Sequence, residues 1–208
     1  VGIVLLLFAF VPQFGAEGVW VSVFTAISAF CNAGFDLFGR FGAYSSLVPY
    51  VNNYYVQAVI MFMIMAGGLG FMVWVELAEY RKKRRLSLHA KVVLQFSVIF
   101  WVGGAVLLAL LEWSNPRTMG GLSVPGKIMA ALFQSVSTRT AGMNTIDLAA
   151  CSPISKLLMS VLQFIGAAPG STGGGVKVTT FAVLILTIRS VAQGRDDCVI
   201  GGHHIESK

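Results

Sequence analysis

The chain has 208 residues, of which 56% are hydrophobic and 12% charged; its mean hydropathy is +0.76 and its formal net charge +6. Soluble domains carry about a quarter of their residues as charged side chains, so this composition leaves too little charge to cover a water-exposed surface. It excludes an ordinary soluble enzyme or nucleic-acid-binding domain and predicts an all-α integral membrane protein.

The chain begins inside an apolar run, Val1 to Val11, that is shorter than the twenty or so helical residues needed to span a bilayer. We therefore expect it to be a fragment of a longer protein. Residues 12–17 are expected to break this helix. Residues 18–30 then predict a short apolar helix that cannot cross a membrane and that ends at a polar loop, 31–36.

A second apolar run, from Tyr54 to Leu77, predicts a membrane-spanning segment. Within it, the glycines of 67–70 are expected to permit close helix contact or bending. The basic run 81–85 follows directly, and such a cluster between apolar stretches is typical of a cytoplasmic loop. The positive net charge therefore does not indicate a nucleic acid partner.

The same order then recurs. Lys91 to Trp113 predicts a span, Val124 to Ser137 a short helix, and 138–145 a loop in which the Ala-Gly pair of 33–34 reappears at 141–142. A last apolar stretch over 154–188 is interrupted at 166–177. We interpret 1–90 and 91–208 as two repeats of span, pore helix, filter loop and span, of the potassium-channel-like type.

The two Ala-Gly loops are the predicted cation-binding filter. Non-helical backbone at membrane depth is tolerated where it is buried or lines a watery path, and glycine permits torsions that aim successive carbonyls at one axis. The short helices would point their partially negative C-terminal ends at the same place. A cation would be held by backbone carbonyls only, from Asn32, Ala33, Gly34, Phe35, Thr140, Ala141, Gly142 and Met143.

The glycine-rich break in the last apolar stretch is the predicted gating loop. A continuous helix would not tolerate this composition, and a flexible segment beneath a filter could obstruct the path, with the lysine charge repelling cations. The alternative is a helix break packed silently between its neighbours. The residues concerned are Gly166, Pro169, Gly170, Ser171, Thr172, Gly173, Gly174, Gly175 and Lys177.

Two other classes of function remain as alternatives. The glycine-rich segment resembles a phosphate-binding loop, which favours a membrane-integral enzyme with Lys177 as phosphate ligand, but Val176 stands where that motif has its lysine. No paired acid, base or nucleophile accompanies it, so an enzyme is not expected. A secondary transporter with a discontinuous-helix site is the other alternative, although such folds commonly show inverted repeats, and these run in one orientation.

Three charged residues flank the loops. Arg139 precedes the second filter stretch and needs a carboxylate or carbonyl partner behind the filter, where it either braces the loop or contacts ions. Asp36 and Asp147 follow the two loops. They either concentrate cations at the outer entrance or cap local turns.

The motifs at 28–35, 137–142 and 169–177 resemble those of the Trk/Ktr/HKT superfamily of cation transporters, most of all pore subunits of the KtrB type. The resemblance implies four span-loop-span repeats around one pore, of which this chain has the second, partly truncated, and the third. It implies potassium uptake across a bacterial inner membrane by a multi-pass protein.

The resemblance also implies partners and cofactors. It implies a homodimer of pore subunits, in contact with membrane lipid, on cytosolic regulatory subunits of the KtrA/TrkA type that bind nucleotides. This chain itself is expected to hold no cofactor, and nucleotide acts only through the regulatory partner. Potassium is the transported ion, with sodium dependence left open.

Overall fold

The computed structural model describes residues 1–193, 198–200 and 203–205. Its described part is helical, as predicted, apart from one antiparallel hairpin of β1 (Cys198–Ile200) and β2 (His203–Ile205). Two short 3-10 turns cover Phe38–Phe41 and Val48–Tyr50. The helices are α1 (Gly2–Phe14), α2 (Glu17–Phe30), α3 (Tyr54–Gly68), α4 (Phe71–Lys83), α5 (Leu88–Glu112), α6 (Val124–Thr138), α7 (Pro153–Phe164) and α8 (Val178–Ala192).

Four helices begin at a polar residue whose side chain accepts a hydrogen bond from a backbone N–H in the first turn. These residues are Asn53 before α3, Ser87 before α5, Ser123 before α6 and Ser152 before α7. Such caps satisfy one of the N–H groups that a helix leaves without an internal partner. They fix the start of each helix after a loop.

The first helix ends inside the expected break at 12–17. Pro12 lies inside α1, and the helix ends only at Phe14, where Gly15 adopts φ +61° and donates its N–H to the Val11 carbonyl at 2.8 Å. A proline near a helix end removes few internal hydrogen bonds. The helix therefore breaks inside the predicted segment 12–17, and Gly15 ends it rather than Pro12.

The predicted span over 54–77 consists of two helices with a sharp bend between them. Helices α3 and α4 meet at an angle of 99°. Gly70 has φ +85° at the bend, and the N–H of Phe71 leaves the helical pattern to bond the carbonyl of Gly170 at 3.0 Å. The glycines do permit bending, as expected, because a side chain at Gly70 would lie 2.5 Å from the Pro169 carbonyl oxygen.

Helix α5, with 25 residues, is long and apolar enough to span a membrane by itself; within the described residues, the bent pair α3 and α4 also qualifies if counted as one span. In α5, an exposed apolar stripe at helical spacing is formed by Val98, Val102, Val106 and Leu110.

The last apolar stretch is split into α7 and α8, and its interruption at 165–177 matches the prediction.

An aromatic core joins the first half of the chain. The ring centroids of Phe10 and Phe38 lie 5.6 Å apart, and Tyr50 lies 5.5 Å from Phe10 and 5.2 Å from Phe38. The same buried cluster extends through α3 to Phe133 of α6. Because α3 packs against both α2 and α6, the loops that follow these two short helices are brought side by side.

A buried carboxylate holds α7 against α5 in the second half of the chain. Glu112, at the end of α5, accepts hydrogen bonds from the Ser155 hydroxyl at 2.6 Å, the Thr118 hydroxyl and Asn115 amide at 2.7 Å, and the Ser152 N–H at 2.8 Å. Four donors compensate the cost of burying its charge. The contact fixes the start of α7 against the end of α5.

Candidate ion filter and intramembrane loop

The two predicted filter loops share one backbone conformation. In the first, Asn32 has φ +50° and Gly34 φ +74°; in the second, Thr140 has φ +74° and Gly142 φ +82°. The alanine between each pair keeps a negative φ, so φ changes sign from residue to residue. Positive φ is rare for a β-branched residue such as Thr140, so the surrounding structure must impose it.

The loops touch at their glycines. A Cβ atom built on Gly34 would lie 2.8 Å from the carbonyl oxygen of Ala141 and 3.1 Å from the Cα of Gly142. A Cβ built on Gly142 would lie 3.2 Å from the Cα of Gly34. Only glycine fits at either position without displacing the opposite filter loop. The structure therefore brings the two predicted filter segments into direct contact.

Three successive carbonyls in each loop carry no hydrogen bond from the described residues, namely those of 32–34 and 140–142. The next carbonyl along is used differently: Phe35 accepts the hydroxyl of Ser28 and Met143 that of Ser137. The carbonyls of residues 35 and 143, which were also predicted to belong to the filter, are thus already bonded to a hydroxyl. The arrangement leaves oxygen ligands of the kind that replace the hydration shell of an alkali cation.

The two aspartates beyond the loops make local turns. Asp36 accepts the N–H of Phe38 at 2.8 Å, and Asp147 accepts the N–H of Ala149 at 2.9 Å, through one carboxylate oxygen each. Both are bonds to the backbone two residues ahead, a common aspartate turn. Of the two interpretations left open by the sequence, the structure favours the capping of turns.

The interruption between α7 and α8 is a closed loop. Its two ends are joined by hydrogen bonds from Gly166 to the Val176 carbonyl at 3.0 Å, from Val176 to the Phe164 carbonyl at 2.9 Å, and from Ala167 to the Gly174 carbonyl at 3.2 Å. A Cβ on Gly166 would lie 1.7 Å from the Gly174 oxygen. The backbone segments that meet at this closure, which we call the neck of the loop, therefore require glycine at position 166. We call residues 165–177 the intramembrane loop.

The intramembrane loop lies against both filter loops. The N–H of Gly174 donates to the hydroxyl of Thr140 at 3.0 Å. A Cβ on Gly173 would lie 2.9 Å from that hydroxyl and 3.1 Å from the amide nitrogen of Asn32. Asn32 and Thr140 hold equivalent positions in the two filter loops, and both side chains contact this loop. The predicted filter and predicted gate therefore form one site.

The tip of the intramembrane loop is seated in the bend between α3 and α4. Thr172 donates its N–H to the Gly67 carbonyl at 3.2 Å and its hydroxyl to the Phe30 carbonyl at 2.9 Å. Ala168 donates its N–H to the Gly68 carbonyl at 3.1 Å. The bend frees the carbonyls of Gly67 and Gly68 from α3, and the Phe30 carbonyl lies at the end of α2; the loop satisfies all three.

Lys177 turns back onto its own loop, because its ammonium donates to the carbonyl of Gly173 at 2.7 Å. The side chain is half-buried, and α8 begins at the next residue. The positive charge thus lies close to Gly173 and Gly174, which contact both filter loops.

Arg139 has the carbonyl partner that the sequence predicts. Its guanidinium is 5% exposed and donates to the Gly166 carbonyl at 2.7 Å. It also lies over the rings of Phe100 and Trp101, 5.5 and 5.8 Å from their centroids. No acidic side chain pairs with it in the part of the chain that the structure describes. These contacts favour bracing of the filter loop over contact with ions.

A cleft of about 460 Å³ opens beside the second filter loop. Thr140 and Gly142 line it on one side, and Gln134, Lys156 and Gln163 provide polar groups on the others. Apolar side chains complete the lining, so the cleft has a mixed polar and apolar surface.

Ser28 and Ser137 are site residues that sequence reasoning missed. A serine stands shortly before the Ala-Gly pair in both repeats, which was a usable signal. The positive φ values of Asn32 and Thr140 carry no comparable signal, since neither residue type requires them.

The whole chain, residues 1–208, matches a family model described as TrkH, cation transport protein. It is 37% identical over 196 residues to the potassium/sodium uptake protein NtpJ of Enterococcus hirae, covering 94% of this chain and 42% of that protein. It is 41% identical over 189 residues to the Ktr system potassium uptake protein B of Vibrio alginolyticus, covering 89% and 40%.

A solved structure, the potassium transporter TrkH from Vibrio parahaemolyticus, shares the fold with a TM-score of 0.71 and 21% identity, over 97% of this chain and 43% of that one. The chain thus spans about two fifths of the length of these relatives. Taken with the family model and the identities above 30%, this means that the chain belongs to the TrkH family of cation transport proteins.

Proposed function

We propose that this chain forms part of a potassium-conducting pore, with 1–90 and 91–208 as two of its repeats. The observation that carries the proposal is the pair of matched loops that meet at Gly34 and Gly142, each with three unengaged carbonyls. Relatives named as potassium uptake proteins support the choice of ion. Potassium moves down its electrochemical gradient, and the protein is a transporter and not an enzyme.

In this proposal, the carbonyls of 32–34 and 140–142 replace part of the ion's hydration shell. Helix α2 ends at Phe30 and α6 at Thr138, each next to its filter loop, so the partial negative charge of both helix ends favours a cation there. No carboxylate is needed for binding. The filter is half of a ring that the other repeats of a longer protein complete.

The intramembrane loop is the proposed gate. It lies against Asn32 and Thr140, so a cation leaving the filter on that side meets Gly173 and Gly174 before anything else in the described chain. The Lys177 ammonium adds a positive charge to the same segment. Opening requires the loop to leave its seat in the α3–α4 bend.

The remaining assignments follow from relatives and charge. Relatives named as Ktr system components support cytosolic regulatory subunits of the KtrA/TrkA type, which bind nucleotide, beneath a homodimer of pore subunits. The name of the potassium/sodium uptake relative supports a role for sodium. The basic cluster 81–85 supports a cytoplasmic location for the loop between α4 and α5, in a protein that crosses a bacterial inner membrane several times.

The test uses the full-length protein in lipid vesicles. Gly34→Ser and Gly142→Ser are each expected to lower the preference for potassium over sodium by about tenfold, because a side chain there strains the left-handed backbone and pushes on the opposite loop. Gly121→Ser is the matched control, since a Cβ there meets nothing within 4 Å. Unchanged ion competition in both filter variants would reject the filter.

A further inference from the structure

Each pore helix contains one buried serine that reaches its own filter loop. Ser28 in α2 is 5% exposed and donates its hydroxyl to the carbonyl of Phe35 at 2.6 Å. Ser137 in α6 is 1% exposed and donates its hydroxyl to the carbonyl of Met143. In both loops the acceptor is the residue directly after the filter glycine.

The same two serines hold the other end of each loop through their backbone. The carbonyl of Ser28 accepts the N–H of Ala33 at 2.9 Å. The carbonyl of Ser137 accepts the N–H of Ala141 at 2.9 Å and that of Gly142 at 3.3 Å. One residue therefore fastens its loop both before and after the filter glycine.

We propose that Ser28 and Ser137 are positioning residues that set the preference of the filter for potassium over sodium. The inference rests on the proposed function. A carbonyl bonded to a buried hydroxyl cannot turn toward the ion, and it fixes the peptide plane after the glycine. The three free carbonyls that precede it are thereby held at a set distance from the path, and they resist closing onto a smaller ion.

The two serines are not equally important in this proposal. The second loop has further anchors, because Asn144 donates its N–H to the Ser46 hydroxyl at 3.3 Å and accepts the Leu47 N–H at 2.9 Å, and Met143 is 1% exposed. In the first loop, the side chain of Phe35 is 69% exposed. The hydroxyl of Ser28 is thus the main anchor at the outer end of its loop.

The test compares potassium and sodium competition for flux by the full-length protein in lipid vesicles. We expect Ser28→Ala to lower the preference for potassium by about fivefold, the usual worth of one hydrogen bond, and Ser137→Ala to lower it less. Ser22→Ala is the matched control: its hydroxyl is buried in the same helix but bonds the Gly18 carbonyl at 2.7 Å, away from the filter. It should leave the preference unchanged.

The outcomes separate this inference from the function beneath it. Absence of potassium flux in the wild-type protein would reject the proposed function itself. A potassium-selective wild type whose Ser28→Ala and Ser137→Ala variants keep the same ion preference, or lose flux of both ions equally, would reject the positioning role. If Ser28→Ala does not reach the vesicles folded, Ser28→Cys, which keeps the volume but donates weakly, replaces it in the same comparison.

Discussion

Arg139 holds a guanidinium beside the second filter loop with no carboxylate near it in the described chain. Its buried Nε has no hydrogen-bond partner among the described residues. The bond from its guanidinium to the Gly166 carbonyl joins the filter loop to the neck of the intramembrane loop, and the rings of Phe100 and Trp101 lie close to its charge. A buried cation is stable only with such partners. The residue thus depends on geometry that a simple positive charge would not reproduce.

Arg139→Lys tests this dependence. A lysine keeps the charge, but it cannot both bond the Gly166 carbonyl and stack on two rings, so we expect a loss of about 1–3 kcal/mol of stability. Thermal unfolding of the purified full-length protein measures the effect. Arg117→Lys, at an exposed loop position, is the control and should change little. Equal stability of the two variants would contradict the bracing role.

Sequence reasoning reached some residues of the site and not others. The need of Arg139 for a partner was predictable, because a buried charge is costly whatever the fold. Its partner Gly166 was not, since the two residues lie on either side of α7 and meet only through packing. The strained backbone of Thr140 was equally hidden, because its hydroxyl contact with Gly174 exists only in the folded molecule.

At the scale of elements, apolar length predicted which segments are helices, and it failed where a helix bends. The run from 54 to 77 is continuously apolar, yet α3 and α4 meet at 99° because Phe71 bonds a carbonyl of the intramembrane loop. A local pattern does not contain that partner. The break between α7 and α8 was predictable, since its glycines and Pro169 disfavour a helix by themselves.

The seat of the intramembrane loop is an element-scale test of the gate. Thr172→Val keeps the shape of the side chain and removes the hydroxyl bond to the Phe30 carbonyl, so we expect potassium flux to rise by about fivefold through a less securely closed loop. Thr180→Val, an exposed threonine in α8, is the control. Flux that stays the same or falls in folded Thr172→Val protein would argue against a closed loop as the gate.

At the scale of the whole molecule, the described chain does not enclose an ion path by itself. Its filter loops meet on one side, while the cleft beside the second loop stays open and apolar side chains such as Phe8, Leu157 and Phe164 are exposed. Exposed apolar area of this extent indicates contact with lipid or further protein. The chain spans 42% of the relative from Enterococcus hirae, which leaves room for such protein.

We therefore expect the 208-residue chain alone to give no potassium-selective flux in lipid vesicles, because two filter loops cannot surround an ion. The full-length protein in the same vesicles is the positive control, and empty vesicles give the baseline. Selective flux from the chain alone would show that two repeats suffice, for instance by pairing of two copies, and would contradict the four-repeat arrangement.

The seating of the intramembrane loop in the α3–α4 bend also constrains the order of biosynthesis. The carbonyls of Gly67 and Gly68 accept N–H groups from Thr172 and Ala168. The ribosome adds these two donor residues about a hundred residues after the glycines. At about 5–20 residues per second, that interval is on the order of 5–20 s. During that interval, the carbonyls of the nascent bend must accept hydrogen bonds from water or from the translocon. A ribosome that stalls before residue 168 would leave the first repeat without its final shape.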